Sequence, residues 1–409
     1  MGCHSCFLCP TLIWYTSLKI KLLLYSHSWL PRVGGVETVT GSLACGLAKW
    51  GETHPDQQFD VTVVTNSLAD NTDDSRFGFR VVRRPSARWL VQHIRTTDVL
   101  HVAGPALFPM LVAQLFRTPT VVEHHGYQSA CPNGLLLYQP DQSVCPGHFM
   151  AGHYPKCVQC NAANLGWIGS CRNLLLSFPR RWLCRIVAGN ISVTRHVASR
   201  ILLPRTRTIY HGVQDLGEHQ RKSITFGPCE LRIGYVGRLV GGKGLSLLLR
   251  AAKQLESDGV AFSLTIIGDG PLRTELEASS RRLGLQDRVS FAGELRGPGL
   301  SKALERIQVV AMPSEWEETA GLVAMEQMMR GGLIVAADIG GLGEVVGNAG
   351  LIFPAGDSRA LAACLEEINR TPSLVETLGC AARSRAKHLF GLDDMIQKHV
   401  DFYREVTRR

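Results

Sequence analysis

The apolar run Lys19–His27 stops at the turn Leu30-Pro31-Arg32-Val33-Gly34-Gly35, and helical periodicity then carries from Val36 to Trp50. A strand, a glycine-rich turn and a helix open a βαβ unit, and a parallel strand buried on both faces obliges the chain to supply more strands beside it and helices over it. The chain does this twice. A first series of strand-like runs continues with Phe59–Thr65, Phe79–Val82, Val99–Val102, Thr120–Glu123 and Ile191–Val193. A second comprises Leu231–Val236, Ser263–Ile267, Val289–Ala292, Val309–Met312, Ile334–Ala336 and Leu351–Phe353, with helices such as Leu245–Glu256 and Pro271–Leu283 between them. The fold class expected is α/β, with two Rossmann-like domains facing across a cleft where strand ends and helix N-termini meet.

The boundaries read from this rhythm are an N-terminal extension, 1–18; a first domain, 19–213; a polar linker, 214–230; a second domain, 231–388; and a last helix, 389–409. Within the first domain the stretch 127–171 is rich in Pro, Gly and Cys and carries no periodic pattern, so it reads as a loop-like insertion. At 409 residues, 45% hydrophobic and 19% charged, the chain has the size and composition for two packed cores, which excludes disordered and fibrous classes. No uninterrupted apolar run is long enough to cross a membrane, and no charged n-region precedes the first apolar stretch as in a secretory signal. A cytoplasmic location is the expectation.

Two constellations carry chemistry. Gly237-Arg238-Leu239-Val240-Gly241-Gly242-Lys243-Gly244 follows a strand and precedes a helix, so free backbone N–H groups and two cations converge where an anion such as a diphosphate would sit. Gly237, Gly242 and Lys243 also satisfy the first part of a P-loop, but Gly244 stands where that motif needs Ser or Thr for magnesium. An NTPase is the rival reading of this turn. The second constellation is Glu318 and Glu326, expected on one helix two turns apart, about 12 Å of rise, with carboxylates suited to accept hydrogen bonds from vicinal hydroxyls.

Taken in order, Gly34-Gly35-Val36-Glu37, His125 after the strand ending at Glu123, Gly237-Arg238 with Lys243-Gly244, Gly268-Asp269-Gly270-Pro271 and the span from Glu318 to Glu326 resemble the retaining glycosyltransferases of family 4. The resemblance implies the GT-B architecture and transfer of a hexose-type sugar from a nucleotide-diphosphate donor, with the anomeric configuration retained. It implies that Gly34 and Gly35 let backbone approach the donor, that His125 touches the transferred sugar, and that Arg238 and Lys243 neutralise the departing diphosphate. Glu318 would hold donor-sugar hydroxyls and Glu326 the ribose. Gly237, Gly268, Gly270, Gly321 and Leu322 complete the implied donor-binding set, and the last helix is implied to cross back to the first domain. His211 stands where many relatives carry Asn, and Thr319-Ala320-Gly321 follows Glu318 where Gly-Phe-Gly is common. Both departures bear on the shape of the sugar pocket. Residues 1–18 have no counterpart in the family.

No Asp-x-Asp triplet is present to hold a divalent metal, so no cofactor is expected for catalysis. Cys131, Cys145, Cys157 and Cys160 admit two readings, a tetrahedral structural zinc site or a set of free packed thiols. From Lys19 to His211 there are 20 Lys and Arg against 10 Asp and Glu, whereas the remainder is nearly balanced. Such asymmetry suggests an acidic partner for the first domain. Arg172, Arg180, Arg181 and Arg185 interleave with Leu174, Leu175, Leu176, Phe178, Trp182 and Leu183, with Pro179 expected to split the segment into two short pieces. The expectation is peripheral docking on the inner face of the cytoplasmic membrane and a glycan or lipid-linked acceptor, as in polysaccharide biosynthesis. Nucleic acid is the rival acidic partner, but aromatics do not cluster with the basic residues as stacking platforms.

Overall fold

The computed structural model describes residues 18–31, 34–68, 73–215, 217 and 230–408. The expected N-terminal extension, apart from Leu18, and most of the linker 214–230 lie outside the described residues. The first half contains β1 (Leu18–Ser26), β2 (Gln57–Thr65), β3 (Arg80–Arg83), β4 (Val99–Ala103), β5 (Thr120–His124), the short pair β6 (Leu137–Tyr138) and β7 (Ser143–Val144), β8 (Gly189–Ser192) and β9 (Thr206–Thr208). The second contains β10 (Leu231–Val236), β11 (Phe262–Ile267), β12 (Val289–Gly293), β13 (Val309–Met312), β14 (Leu333–Asp338) and β15 (Leu351–Pro354). β6 and β7 pair antiparallel by themselves. The others form two parallel sheets, ordered β3-β2-β1-β4-β5-β8-β9 and β12-β11-β10-β13-β14-β15.

In each sheet the strand order reverses beside the first strand, at β1/β4 and at β10/β13. These are the switch points at which doubly wound sheets open a crevice outside their C-terminal strand ends. β1 shows why its sequence is nearly continuous in apolar residues. Ile20, Leu22 and Leu24 pack on one face, and Leu23 and Tyr25 on the other. Helix Gly35–Thr53 covers the first face with Val39, Leu43, Leu47 and Trp50, spaced three and four residues apart.

The last helix, Leu392–Thr407, joins that same core. Met395, Ile396, Val400, Phe402, Tyr403 and Val406 are buried with Ile20, Leu22 and Leu43. At ~1.5–3 kcal/mol per side chain, six such residues contribute roughly 9–18 kcal/mol of transfer free energy, an upper bound because the unfolded chain already buries some of that surface. The helix therefore stays docked on the first domain although it follows the second in the chain. Gly46 permits the close approach, since a Cβ there would run into the Ile396 side chain. Where the chain passes between the domains, Val213 N–H donates to the Phe390 carbonyl at 2.7 Å and Arg383 pairs with Asp215 at 2.9 Å.

The insertion differs from its sequence reading. Its irregular part ends at His153, and a helix runs from Tyr154 to Ile186. The break in that helix falls at Gly166 (φ 65°, ψ 172°), and not at Pro179, through which the helix continues. Leu174, Ser177, Leu183 and Cys184 are buried on either side of Pro179 and hold that stretch in line, whereas Gly166 is free to leave the helical region at small steric cost.

Candidate active site

The first strand of each sheet leads into a glycine turn and a helix. β10 ends at Val236, and the turn from Gly237 leads to helix Leu245–Ser257. Gly244 caps that helix at φ 70°, and a Cβ there would collide with the Pro313 carbonyl at the end of β13. Backbone closeness thus demands glycine at the position where a P-loop needs a hydroxyl, and the NTPase reading fails on geometry as well as on residue type. Gly268 and Gly270 are pressed in the same way against the carbonyls of Gly237 and Leu239, so the turns after β10 and β11 stack backbone on backbone. Arg238 projects from this layer as an exposed side chain with no ion pair among the described residues.

Lys243 and Glu318 come together. Lys243 Nζ lies 2.5 Å from Glu318 Oε1, and the same oxygen accepts from Ser314 Oγ (2.7 Å) and Trp316 Nε1 (3.1 Å). Lys243 also sits 5.3 Å from the centre of the Trp316 ring. Burial would raise the Glu318 carboxyl, but Lys243 and the two neutral donors outweigh it and hold the group below the usual carboxylate range. Glu318 is not on the helix that carries Glu326, as the spacing predicts. That helix is Leu322–Met329, capped by Gly321 at φ 67°, and Glu318 lies in the preceding turn. The cause is local: Gly341 N–H donates to the Glu318 carbonyl at 2.6 Å, and a left-handed Gly321 cannot continue a helix N-terminally. Glu326 lies one turn beyond Leu322, in a cleft also lined by Thr38, Gly212 and Arg383. Burial pushes its carboxyl up, with Arg330 opposing.

Across the cleft, a Cβ on Gly35 would stand 3.9 Å from the Leu322 side chain. The first turns of helices Gly35–Thr53 and Leu322–Met329 are therefore neighbours, and the leading N–H groups of both have no intrahelical acceptor. Two positive helix ends facing one another make this part of the crevice suited to an anion.

His125, at the end of β5, belongs to a buried polar cluster that sequence reasoning missed. Its Nδ1 is 3.2 Å from His211 Nε2, and its Nε2 is 3.5 Å from Glu123 Oε2. Glu123 is 1% exposed and also faces His101 Nε2 (3.1 Å) and His399 Nε2 (3.7 Å). Burial opposes ionisation of Glu123, but the surrounding imidazoles prevail and hold it well below the usual range. Tyr403, whose hydroxyl burial keeps protonated, lies 2.8 Å from His101 Nδ1. Burial pushes His211 down to about 3 and His124 to about 4, so both are neutral at pH 7. Glu123, His125 and His211 place donor atoms within 4.8 Å of one another. The sequence signal for this cluster is a glutamate followed by two histidines at the end of the buried strand Thr120–His124.

The domains are latched beside Glu318. Thr194 Oγ1 donates to the Thr319 carbonyl (2.7 Å), His196 and Arg200 each meet Glu317 at 3.0 Å, and Glu344 accepts from the N–H groups of Arg195 and His196, both at 2.9 Å. Glu344 thus caps helix Arg195–Ile201 from the other domain.

Residues 218–385 match the family of glycosyl transferases group 1. Relatives include 2-deoxystreptamine glucosyltransferase of Streptomyces kanamyceticus, 28% identical over 49% of this chain and 56% of the relative. D-inositol 3-phosphate glycosyltransferase of Rhodococcus erythropolis is 31% identical over 46% of this chain and 44% of the relative. The chain spans about half the length of the curated relatives it matches. Among solved structures, Anabaena HepE in complex with UDP and glucose superposes with TM-score 0.67 at 18% identity, covering 93% of this chain and 98% of that one. Sucrose-phosphate synthase from Thermosynechococcus elongatus gives 0.69 at 19%, covering 95% and 99%. The fold of the described residues is GT-B.

Proposed function

We propose that this protein is a glycosyltransferase that moves a sugar from a nucleotide-diphosphate donor to a glycan or lipid-linked acceptor. The observation that carries the reading is the Lys243–Glu318 pair just ahead of helix Leu322–Met329, whose N-terminus neighbours that of helix Gly35–Thr53 across the cleft. Breaking a glycosyl phosphate bond builds negative charge on the leaving diphosphate, and fixed cations and N–H groups aimed at it stabilise the transition state more than the ground state. Lys243 and Arg238 supply the cations, and the first turns after Gly35 and Gly321 supply the N–H groups. When a diphosphate draws Lys243 away, Glu318 is released to accept hydrogen bonds from donor-sugar hydroxyls. His125, oriented by Glu123 and His211, faces the sugar from the first domain. Glu326 serves the ribose. The group 1 family match over the second domain and the fold likeness to HepE, whose structure holds UDP and glucose, support a nucleoside-diphosphate donor. Membership of family 4 and retention of configuration follow the motif resemblance.

An acceptor at a membrane surface is supported by one flank of the first domain. Ile168, Leu175 and Trp182, seven residues apart on one helix stripe, are 88%, 67% and 56% exposed, with Phe108, Leu111 and Leu115 exposed on helix Leu107–Phe116. Arg172 and Arg185 are exposed beside them, whereas Arg181 is turned inward onto the carbonyls of Ser129 and Ile201. Apolar side chains with a basic edge suit a helix lying on an anionic lipid surface. No helix among the described residues is long and apolar enough to cross a membrane.

The reading is tested by incubating the purified protein with nucleotide sugars and, separately, with ATP and magnesium. Release of nucleoside diphosphate from a nucleotide sugar supports it, and phosphate release from ATP alone refutes it.

A further inference from the structure

The insertion brings four cysteines to one place. Cys131 follows the turn at Tyr127, whose carbonyl accepts its N–H at 2.8 Å. Cys145 closes the β6–β7 hairpin, donating its N–H to the Leu136 carbonyl at 2.7 Å. Cys157 and Cys160 lie on the first turns of helix Tyr154–Ile186. All four are free thiols, 5–6% exposed, and all line one small cavity together with Asn133 and His148. We infer that this cavity is a structural zinc site with Cys131, Cys145, Cys157 and Cys160 as ligands.

Three observations favour a metal over a packed thiol cluster. First, a buried polar atom is left over at an otherwise apolar cavity: His148, 7% exposed, lines it, and its Nδ1 has no hydrogen-bond partner among the described residues. Second, two N–H donors already point at one sulfur, Asn133 Nδ2 at 3.3 Å and Gln139 N at 3.4 Å from Cys160 Sγ. N–H groups directed at sulfur stabilise a metal-bound thiolate as outer-shell donors. Third, the irregular stretch has little regular structure of its own. It contains two strands of two residues each, and while Tyr127, Ala130, Cys131, Leu136 and Cys145 join the main core, Phe149, Cys157 and Leu174 form a small separate cluster. Four thiolates around zinc would tie these two parts together, with binding energy that is folding energy. No three of the four sulfurs lie within 4.8 Å of one another among the described residues, and Cys131 Sγ is turned onto Asn133 Oδ1 at 3.0 Å. Zinc binding exchanges that contact for the ion and draws the four sulfurs inward.

The staple reaches the proposed active site. The Cys145 carbonyl accepts from Arg200 Nη2 at 2.8 Å, and Arg200 Nε lies 3.0 Å from Glu317, the neighbour of Glu318. At the tip of the hairpin, Gln142 Oε1 stands 3.9 Å from where a Cβ on Gly241 would be, in the phosphate turn of the other domain. The ion would therefore fix the wall of the first domain that meets the Lys243–Glu318 pair.

The test is metal analysis of the full chain purified without chelator, alongside Cys157→Ser/Cys160→Ser and a cobalt-exchanged sample. The site predicts about one zinc per chain in the wild type, less than half an equivalent in the double variant, and thiolate-to-cobalt charge-transfer absorption after exchange. Less than about half an equivalent of zinc in the wild type, iron in its place, or cobalt spectra without thiolate bands would each overturn it. The wild-type measurement decides the matter even if the double variant does not fold. None of these outcomes bears on glycosyl transfer, which is assayed separately.

Discussion

Replacing Lys243 by Ala removes a cation with two successive partners, and the structure sets the size of both effects. Without donor, its partner is Glu318, and the two side chains are 24% and 12% exposed. An exposed pair is worth ~0–1 kcal/mol and loss of one partner from a buried pair costs ~3–5, so a destabilisation of roughly 2 kcal/mol is expected. It depends on pH with a definite sign. The depressed pKa of Glu318 means that the pair adds stability above the ordinary carboxylate value and loses it as pH falls through the folded value. Without Lys243, burial is left opposed only by Ser314 and Trp316, and the Glu318 pKa rises. The stability deficit of the variant should be full near pH 7 and vanish well below about pH 4, where Glu318 is protonated in both proteins. With donor bound, the partner is the departing diphosphate. One charge-assisted contact of ~1.5–3 kcal/mol, at a factor of ten per 1.36 kcal/mol, gives a loss in kcat/KM of about 10- to 150-fold. Denaturant titrations across pH and steady-state release of nucleoside diphosphate measure the two effects. A variant within threefold of wild-type kcat/KM would refute the leaving-group role, and a stability deficit independent of pH would refute the Glu318 pairing.

Two further outcomes are expected. Calorimetry with free nucleoside diphosphate should find binding weakened about tenfold or more by Glu326→Ala and spared by Glu318→Ala, which should instead impair transfer; equal losses in both would reject the division of roles. Sedimentation with anionic vesicles should pellet the protein at low salt and not at 1 M, where screening shortens the reach of surface charge to about 3 Å, and Ile168→Ser/Trp182→Ser should weaken it; equal binding to neutral vesicles would remove the electrostatic contribution.

How much of this was legible depends on the range of the interactions. The strands at the switch points were readable because an apolar run ending in glycines is local chemistry, as at Lys19–Gly35 and Leu231–Gly244. The turn holding Glu318 was misread as helix because the evidence against it is distant: the Gly341 N–H that takes the Glu318 carbonyl comes from the turn after β14. The helix Tyr154–Ile186 was partly hidden because Gly, Asn and Cys dilute its apolar pattern, and proline was given more weight than glycine as its point of fracture. The Glu123 cluster was the least accessible. Its members come from β4, β5, the segment at His211 and the last helix, and only folding makes neighbours of Glu123 and His399. A buried glutamate in a parallel strand announces that partners exist without naming them.

The central claim is that the Lys243–Glu318 crevice receives a nucleotide-diphosphate sugar. Thermal denaturation of wild-type protein and Lys243→Ala against a panel of nucleotide sugars and matched nucleoside monophosphates tests it most directly, because a ligand that binds only the folded protein raises Tm in proportion to its affinity. The account predicts that at least one nucleotide-diphosphate sugar raises the wild-type Tm, that its monophosphate raises it much less, and that Lys243→Ala loses most of the shift. Stabilisation by no nucleotide sugar, or an undiminished shift in Lys243→Ala, would contradict it.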